Sequence, residues 1–169
     1  FAGMTAANVL RRTVTAVHAA DGMALLSRQD HPDEAPIIAP AGDGLRPGMT
    51  VCASVDACHI SLSLSPIECI TTRNQLPGIV RTVRQAGTKS LLCIDAGDLF
   101  VVETTHSSVS DFELWPGRRV WLFFKAHSVR VTPEYPALEK GALHVHCDPD
   151  GDTGRRRAGV GFCSPSCGL

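Results

Sequence analysis

Apolar and polar residues alternate in short runs through most of the first 132 positions, the period of half-buried β-strands and not of helices. The pattern is clearest in the second half of that stretch. It predicts a strand over 79–84, closed by Gln85-Ala86-Gly87-Thr88, and a hairpin of 91–94 with 99–102 around Asp95-Ala96-Gly97-Asp98. Ser107 to Leu114 sets polar capping residues ahead of Val109, Phe112 and Leu114, which suits one or two helical turns. Pro116-Gly117 supplies the fixed φ and the positive φ of a type II turn. Strands over 120–124 and 129–131 complete the set. Five strands and one short helix are the inventory of a small, partly open barrel of the OB type.

The same course is run twice. Thr5-Ala6-Ala7-Asn8-Val9-Leu10 recurs as Thr71-Thr72-Arg73-Asn74-Gln75-Leu76, each leading into a β-branched run. Arg46-Pro47-Gly48-Met49-Thr50-Val51 recurs as Trp115-Pro116-Gly117-Arg118-Arg119-Val120. The first pair is offset by 66 positions and the second by 69, so two copies in one order differ by a three-residue insertion. The first copy is less regular, and its middle, Gln29 to Pro36, is a polar, proline-bearing loop. The expected fold class is all-β with short helices: two tandem five-stranded OB-like barrels, over 1–66 and 67–132, followed by an irregular tail. Over 133–169 neither period persists, and a mostly disordered tail is expected.

Charge narrows the functional classes. The net charge is -1 with His neutral, and the sixteen basic residues are scattered, so the basic stripe or face that grips nucleic acid is missing. No run approaches the length of a membrane-spanning helix. The start, Phe1-Ala2-Gly3-Met4, lacks the pattern of a signal peptide and reads as a chain joined midway, which predicts a further domain upstream. Seven cysteines, odd in number and irregular in spacing, argue for a reducing, cytoplasmic compartment. Cys52, Cys69 and Cys93 lie in apolar runs, where a thiol is expected as a small buried hydrophobe. In the tail, His144, His146, Cys147, Cys163 and Cys167 are zinc-capable ligands, but their spacing fits no zinc signature. Cys58 and His59 would face opposite ways on a strand, which removes a nucleophile–base pair. No phosphate loop, nucleophile elbow or His-Glu-x-x-His run is present, and the chain is not expected to be an enzyme.

One stretch carries a family pattern. Thr71-Thr72-Arg73-Asn74-Gln75-Leu76-Pro77-Gly78-Ile79-Val80 resembles the opening of the Mop (molybdopterin-binding-like, or TOBE) domain, whose members begin Ser/Thr-Ala-Arg-Asn-x-Leu-x-Gly-x-Val. Lys125-Ala126-His127-Ser128-Val129 resembles the Lys-Ala/Ser-x-x-Val step in the last hairpin of that family. With Val51 to Leu64 and Ser65-Pro66-Ile67-Glu68 upstream, the resemblance covers about residues 5–132. It is to the C-terminal regulatory, di-Mop-like region of a bacterial molybdate ABC importer's ATP-binding subunit, without its ATPase domain. Thr72 departs from the usual Ala, and in the first copy Ala7 stands at the Arg place and Asp56 at the Lys place.

The resemblance implies a cytoplasmic sensor of molybdate or tungstate that modulates transport at the inner face of the plasma membrane. It implies no other cofactor and no nucleic acid. Its partners would be a second copy, giving a homodimer through the regulatory domains, together with the ATPase domain and membrane permease of the importer. The implied oxyanion-binding residues are Thr71, Arg73, Thr104, Ser107, Lys125, Ala126 and Ser128. Their chemistry suits a tetrahedral dianion: a guanidinium fork, a compact ammonium, hydroxyl donors, and backbone N–H groups at Ala126 and Ser128. Charge-assisted hydrogen bonds of this kind are about twice as strong as neutral ones. The first copy, with Asp56 in place of a lysine, is expected to be structural. Two other classes compete: a ligand-free dimerisation module, and a nucleic-acid-binding OB domain.

Overall fold

The computed structural model describes residues 6–134. The expectations for the tail from 135, including its zinc-capable residues, lie outside the described residues. The first copy supplies β1 (Ala7–His18), β2 (Met23–Ser27), β3 (Ile37–Pro40), β4 (Thr50–Asp56), a 3-10 turn at Ala57–His59 and β5 (Ser61–Ser63). The second supplies β6 (Asn74–Ala86), β7 (Lys89–Asp95), β8 (Leu99–Thr105), α1 (His106–Asp111), β9 (Arg119–Phe124), a 3-10 turn at Ala126–Ser128 and β10 (Arg130–Pro133). The fold is all-β with short helices, in two five-stranded sheets.

Period-2 patterning decides which side of each strand is buried. Val51, Ala53 and Val55 of β4 point inward while their neighbours are half-exposed. Leu10, Arg12 and Val14 do the same in β1. Both long strands carry a bulge at the same place in the repeat, between Val14 and Ala16 and between Val80 and Thr82. A bulge bends a strand and raises its twist, so one half of β6 pairs with β9 and the other half with β7. The two Pro-Gly turns dock on these bulges. Gly48 N–H donates to Val14 O and Gly117 N–H to Val80 O, each at 2.8 Å, and the two glycines hold φ of 89° and 92°.

The sheets are not the two sequence halves. The strand orders are β10-β4-β1-β2-β3 and β5-β9-β6-β7-β8, so each sheet takes its last strand from the other copy. β5 pairs with β9 through Ser61↔Phe123 and Ser63↔Trp121, and β10 pairs with β4 through Arg130↔Ser54 and Val131↔Ala53. The buried side chains form one continuous cluster that runs through both copies, from Leu10 and Val14 to Phe124 and Val129.

Two buried asparagines fasten the copies reciprocally. Asn8, in β1, accepts from Val101 N–H at 2.7 Å and donates to Val101 O at 2.9 Å. Asn74, at the same place in β6, accepts from Ile38 N–H at 2.7 Å and donates to Ile38 O at 2.9 Å. Each amide thus acts as one more peptide unit on the outer edge of the other copy's third strand. A part-buried ion pair, Arg12 with Asp98, and a bond from Arg28 to Gly97 O at 2.7 Å add a one-sided clasp.

Three local expectations change. β6 begins at Asn74, five residues before the predicted start, because pairing to β9 leaves the Pro77 nitrogen on a side that needs no donor. Cys69 is exposed with φ of 57°, on the link between copies, whereas Cys93 is buried as expected. Cys58 and His59 sit on a 3-10 turn rather than a strand, and both are exposed.

Candidate anion site

The last rung of the β6–β9 ladder is Asn74↔Phe124, both side chains buried. Arg73 and Lys125 are the next residues outward on the two chains. Both are exposed, whereas the Asn74 and Phe124 side chains of the rung itself are buried. Among the described residues neither has a carboxylate partner. Their backbones are held from behind, by the Asn74–Ile38 bonds on one side and by the buried Phe124 on the other. Lys125 also precedes the 3-10 turn Ala126–Ser128, which packs on β3.

The backbone donors of that turn differ in availability. Ser128 N–H already donates to Lys125 O at 3.0 Å. The first-copy counterpart of Ala126 is Ala57, whose N–H donates to Ala6 O at 2.7 Å. Ala126 N–H has no such backbone acceptor among the described residues. Thr71 is exposed two residues before Arg73.

Thr104 and Ser107 belong to a different neighbourhood. β8, which carries Thr104, packs on the first 3-10 turn, Ala57–His59, not on the second. Thr104 lines a cavity of about 80 Å³ with Leu62, Ser63, Ser108, Phe112 and Leu114, which offers hydroxyls and no cation. Ser107 is exposed, its Oγ 3.0 Å from Thr105 Oγ. Thr105, not Ser107, caps α1: its Oγ accepts from Ser108 N–H at 3.1 Å. The ladder therefore ends with Arg73 and Lys125 as the next residues on its two chains, Thr71 and Ala126 near them in sequence, while Thr104 lies on a strand that packs on the first copy's turn.

The same exchange explains what fills the first copy's equivalent place. There Ala7 opposes Asp56, and Arg130 of β10 grips Asp56 through bonds of 2.6 and 3.2 Å. His59 Nδ1 lies 3.8 Å from the same carboxylate. The guanidinium holds Asp56 below the usual carboxylate range, against the opposing effect of burial. A larger cleft, about 680 Å³ between the β6 bulge and the β7–β8 turn, is lined by Arg81, Asp95 and Asp98. Arg81 likewise lowers Asp95. Two carboxylates give that cleft the wrong sign for a dianion.

Sequence patterns pointed to Arg73 and Lys125 but not to the Asp56–Arg130 pair, which depends on β10 crossing to the other sheet. The asparagine pair had a signal, since Asn8 and Asn74 occupy one place in the repeat. Among the described residues no cluster of His, Cys, Asp or Glu could hold a metal ion, and no helix is long and apolar enough to cross a membrane.

Comparison with curated proteins gives no sequence match. Among solved structures the chain is similar to the cytoplasmic molybdate-binding protein ModG, in a crystal form with molybdate bound. The TM-score is 0.62 at 22% identity, over 75% of this chain and 96% of that one. The likeness is one of fold. The family model of the TOBE domain matches residues 70–131, the stretch that runs from just before Arg73 to just past Lys125.

Proposed function

We propose that the second copy is an oxyanion-binding regulatory domain that takes molybdate or tungstate between Arg73 and Lys125. The observation that carries this reading is that an arginine and a lysine, both exposed and neither with a carboxylate partner among the described residues, follow directly on the last rung of the β6–β9 ladder. Two like charges held adjacent repel, and a dianion placed between them removes that cost while gaining charge-assisted hydrogen bonds. Thr71 and the Ala126 N–H lie close enough in sequence to add donors. The TOBE match over 70–131 and the molybdate-bound relative of the same fold support the choice of ligand class.

Thr104 and Ser107 enter this shell only from a second copy, which makes ligand binding and homodimerisation one event. In the importer setting implied by the family pattern, occupancy favours one arrangement of paired regulatory domains and so modulates an upstream ATPase domain and its permease. A ligand shifts such an equilibrium only by its differential affinity for the two states. The reading makes the chain a binding domain of the cytoplasm and not an enzyme.

Calorimetric titration with sodium molybdate tests it, together with thermal unfolding in the same buffer. Ligand at a hundred times its dissociation constant stabilises the folded chain by about 2.7 kcal/mol. Arg73→Ala and Lys125→Ala are each expected to lower affinity at least tenfold, about 1.4 kcal/mol. No heat and no thermal shift at millimolar molybdate would sink the proposal. Unchanged affinity in both variants would move the site elsewhere.

A further inference from the structure

We propose that Asp56 closes a second oxyanion site: in the first copy the chain's own carboxylate occupies the anion position on Arg130, so each chain takes one oxyanion and not two. This rests on the reading of Arg73 and Lys125 above and extends it to the other half of the repeat.

The two places are built on one backbone. Asp56 precedes its 3-10 turn with φ/ψ of −71°/141°, and Lys125 precedes its own with −69°/146°. The residues that end the turns, Ile60 and Val129, also match, at −99°/119° and −91°/122°. Ala7 opposes Asp56 in the β1–β4 ladder, and Arg73 and Lys125 follow directly on the last rung, Asn74↔Phe124, of the β6–β9 ladder. The conformation of the turns therefore does not distinguish the halves. Side chains do.

At the second-copy place the turn begins with a lysine and the exchanged strand β5 brings Ser61, across from Phe123. At the first-copy place the turn begins with Asp56 and the exchanged strand β10 brings Arg130, across from Ser54. The cation has moved from the turn to the crossing strand, and an anion already sits on it. Asp56 is largely covered, with 18% of its side chain exposed, and both its oxygens are engaged by the guanidinium. An incoming dianion would meet that carboxylate first. Remove its charge and the place keeps Arg130 and His59 on the adjacent turn, on which β8, the strand of Thr104, also packs. That set has the composition of an oxyanion site with one cation fewer than the other copy.

The test is the stoichiometry of molybdate binding, measured by calorimetry on the full chain. Wild type is expected to take one molybdate per chain, Asp56→Ser two, and Asp56→Ser with Arg130→Ala one again. Asp56→Asn, closer in shape, serves as the second neutral variant if the serine chain fails to show a cooperative thermal transition. Two ions per chain in the wild type overturn the proposal, as does one ion per chain in a folded neutral variant. Binding by the wild type with no gain in either variant leaves the Arg73–Lys125 reading standing and sinks this one alone. No binding by any of the chains removes both.

Discussion

Replacing Asn74 by alanine is the sharpest probe of how the two copies hold together. The side chain is 2% exposed and makes two bonds to one residue of the other copy, at 2.7 and 2.9 Å. Alanine fills the strand position without strain but leaves the N–H and C=O of Ile38 without partners at a seam that is closed to most water. An abandoned buried polar group costs about 1–3 kcal/mol. Ile38 is half-buried and its groups recover some hydration, so the pair sums to roughly 2–4 kcal/mol. With a urea m-value of about 1–3 kcal/mol/M for small proteins, the midpoint should fall by roughly 1–2 M at unchanged slope. Val101, the target of Asn8, is more buried at 8%, so Asn8→Ala should cost at least as much. Both amides secure the same seam. Their double variant should therefore depart from additivity, by about 0.5–3 kcal/mol. A fall in midpoint below about 0.3 M for Asn74→Ala would refute the reasoning, because a seam that yields so little is not held by these bonds.

Other perturbations test neighbouring links. A Cβ at Gly78 would lie 2.8 Å from Ile94 Cγ2 and 3.0 Å from both Asp95 O and Leu122 Cδ1, so Gly78→Ala should destabilise by about 1–3 kcal/mol, and a neutral result in urea would contradict the packing. A fragment of residues 67–134 lacks β5 and keeps a β10 that belongs on the other sheet. It should form a dimer by light scattering, each copy's β10 adding to the other's β9, and a stable monomer would argue against the exchange. Asp56 and Asp95 have pKa values lowered from 3.8 by Arg130 and Arg81, so their ion pairs stabilise above that value and are lost as pH falls through the lower folded values. Thermal unfolding between about pH 6 and pH 2 should fall less steeply for Asp56→Asn/Asp95→Asn than for wild type, by a small margin because both pairs are partly solvated. Equal slopes would mean the pairs contribute nothing.

Much of the fold was legible because it is written in local terms. Alternation marked the strands, Pro116-Gly117 marked its turn, and the helix was placed within a few residues at 106–111. Arg73 and Lys125 carry the family pattern, and each stands one residue beyond the last rung that β6 and β9 share. What escaped was every feature that needs one copy to know where the other is. Thr104 looked like a donor for the same anion, yet its strand packs on the turn that follows Asp56. Ser107 looked like the helix cap, yet Thr105, the last residue of a strand that runs three residues further than alternation suggested, performs that role. Asn74 follows Arg73 in the family pattern, but the backbone it bonds is 36 positions away.

The strand exchange shows why such features resist a local reading. β5 and β10 follow matching turns and are short, three and four residues, each with a single partly buried apolar residue, Leu62 and Val131, to set a register. Either could in principle lie beside β4 or β9, since those strands are themselves copies of each other. A pattern that repeats cannot say which repeat it will join. The choice has to come from contacts that break the symmetry, and the chain supplies two. Arg130 finds Asp56 only if β10 lies against β4, whereas Lys125, which stands in place of Asp56 at the end of β9, would face it with a like charge. The clasp of Arg12 on Asp98 has no counterpart, because Gly78 stands where a second Arg12 would be and its surroundings admit no side chain. The pair that fills the first copy's anion position is thus also a device that sends β10 to its sheet. If so, Arg130→Glu should do more than weaken an ion pair. It should set two carboxylates face to face at β4 and favour a cation partner at Lys125, so that the chain populates a second, unexchanged pairing. Amide exchange would detect this as lost protection along β4 with protection along β9 retained. Uniform loss of protection across both sheets would mean instead that the charge only destabilises and selects nothing.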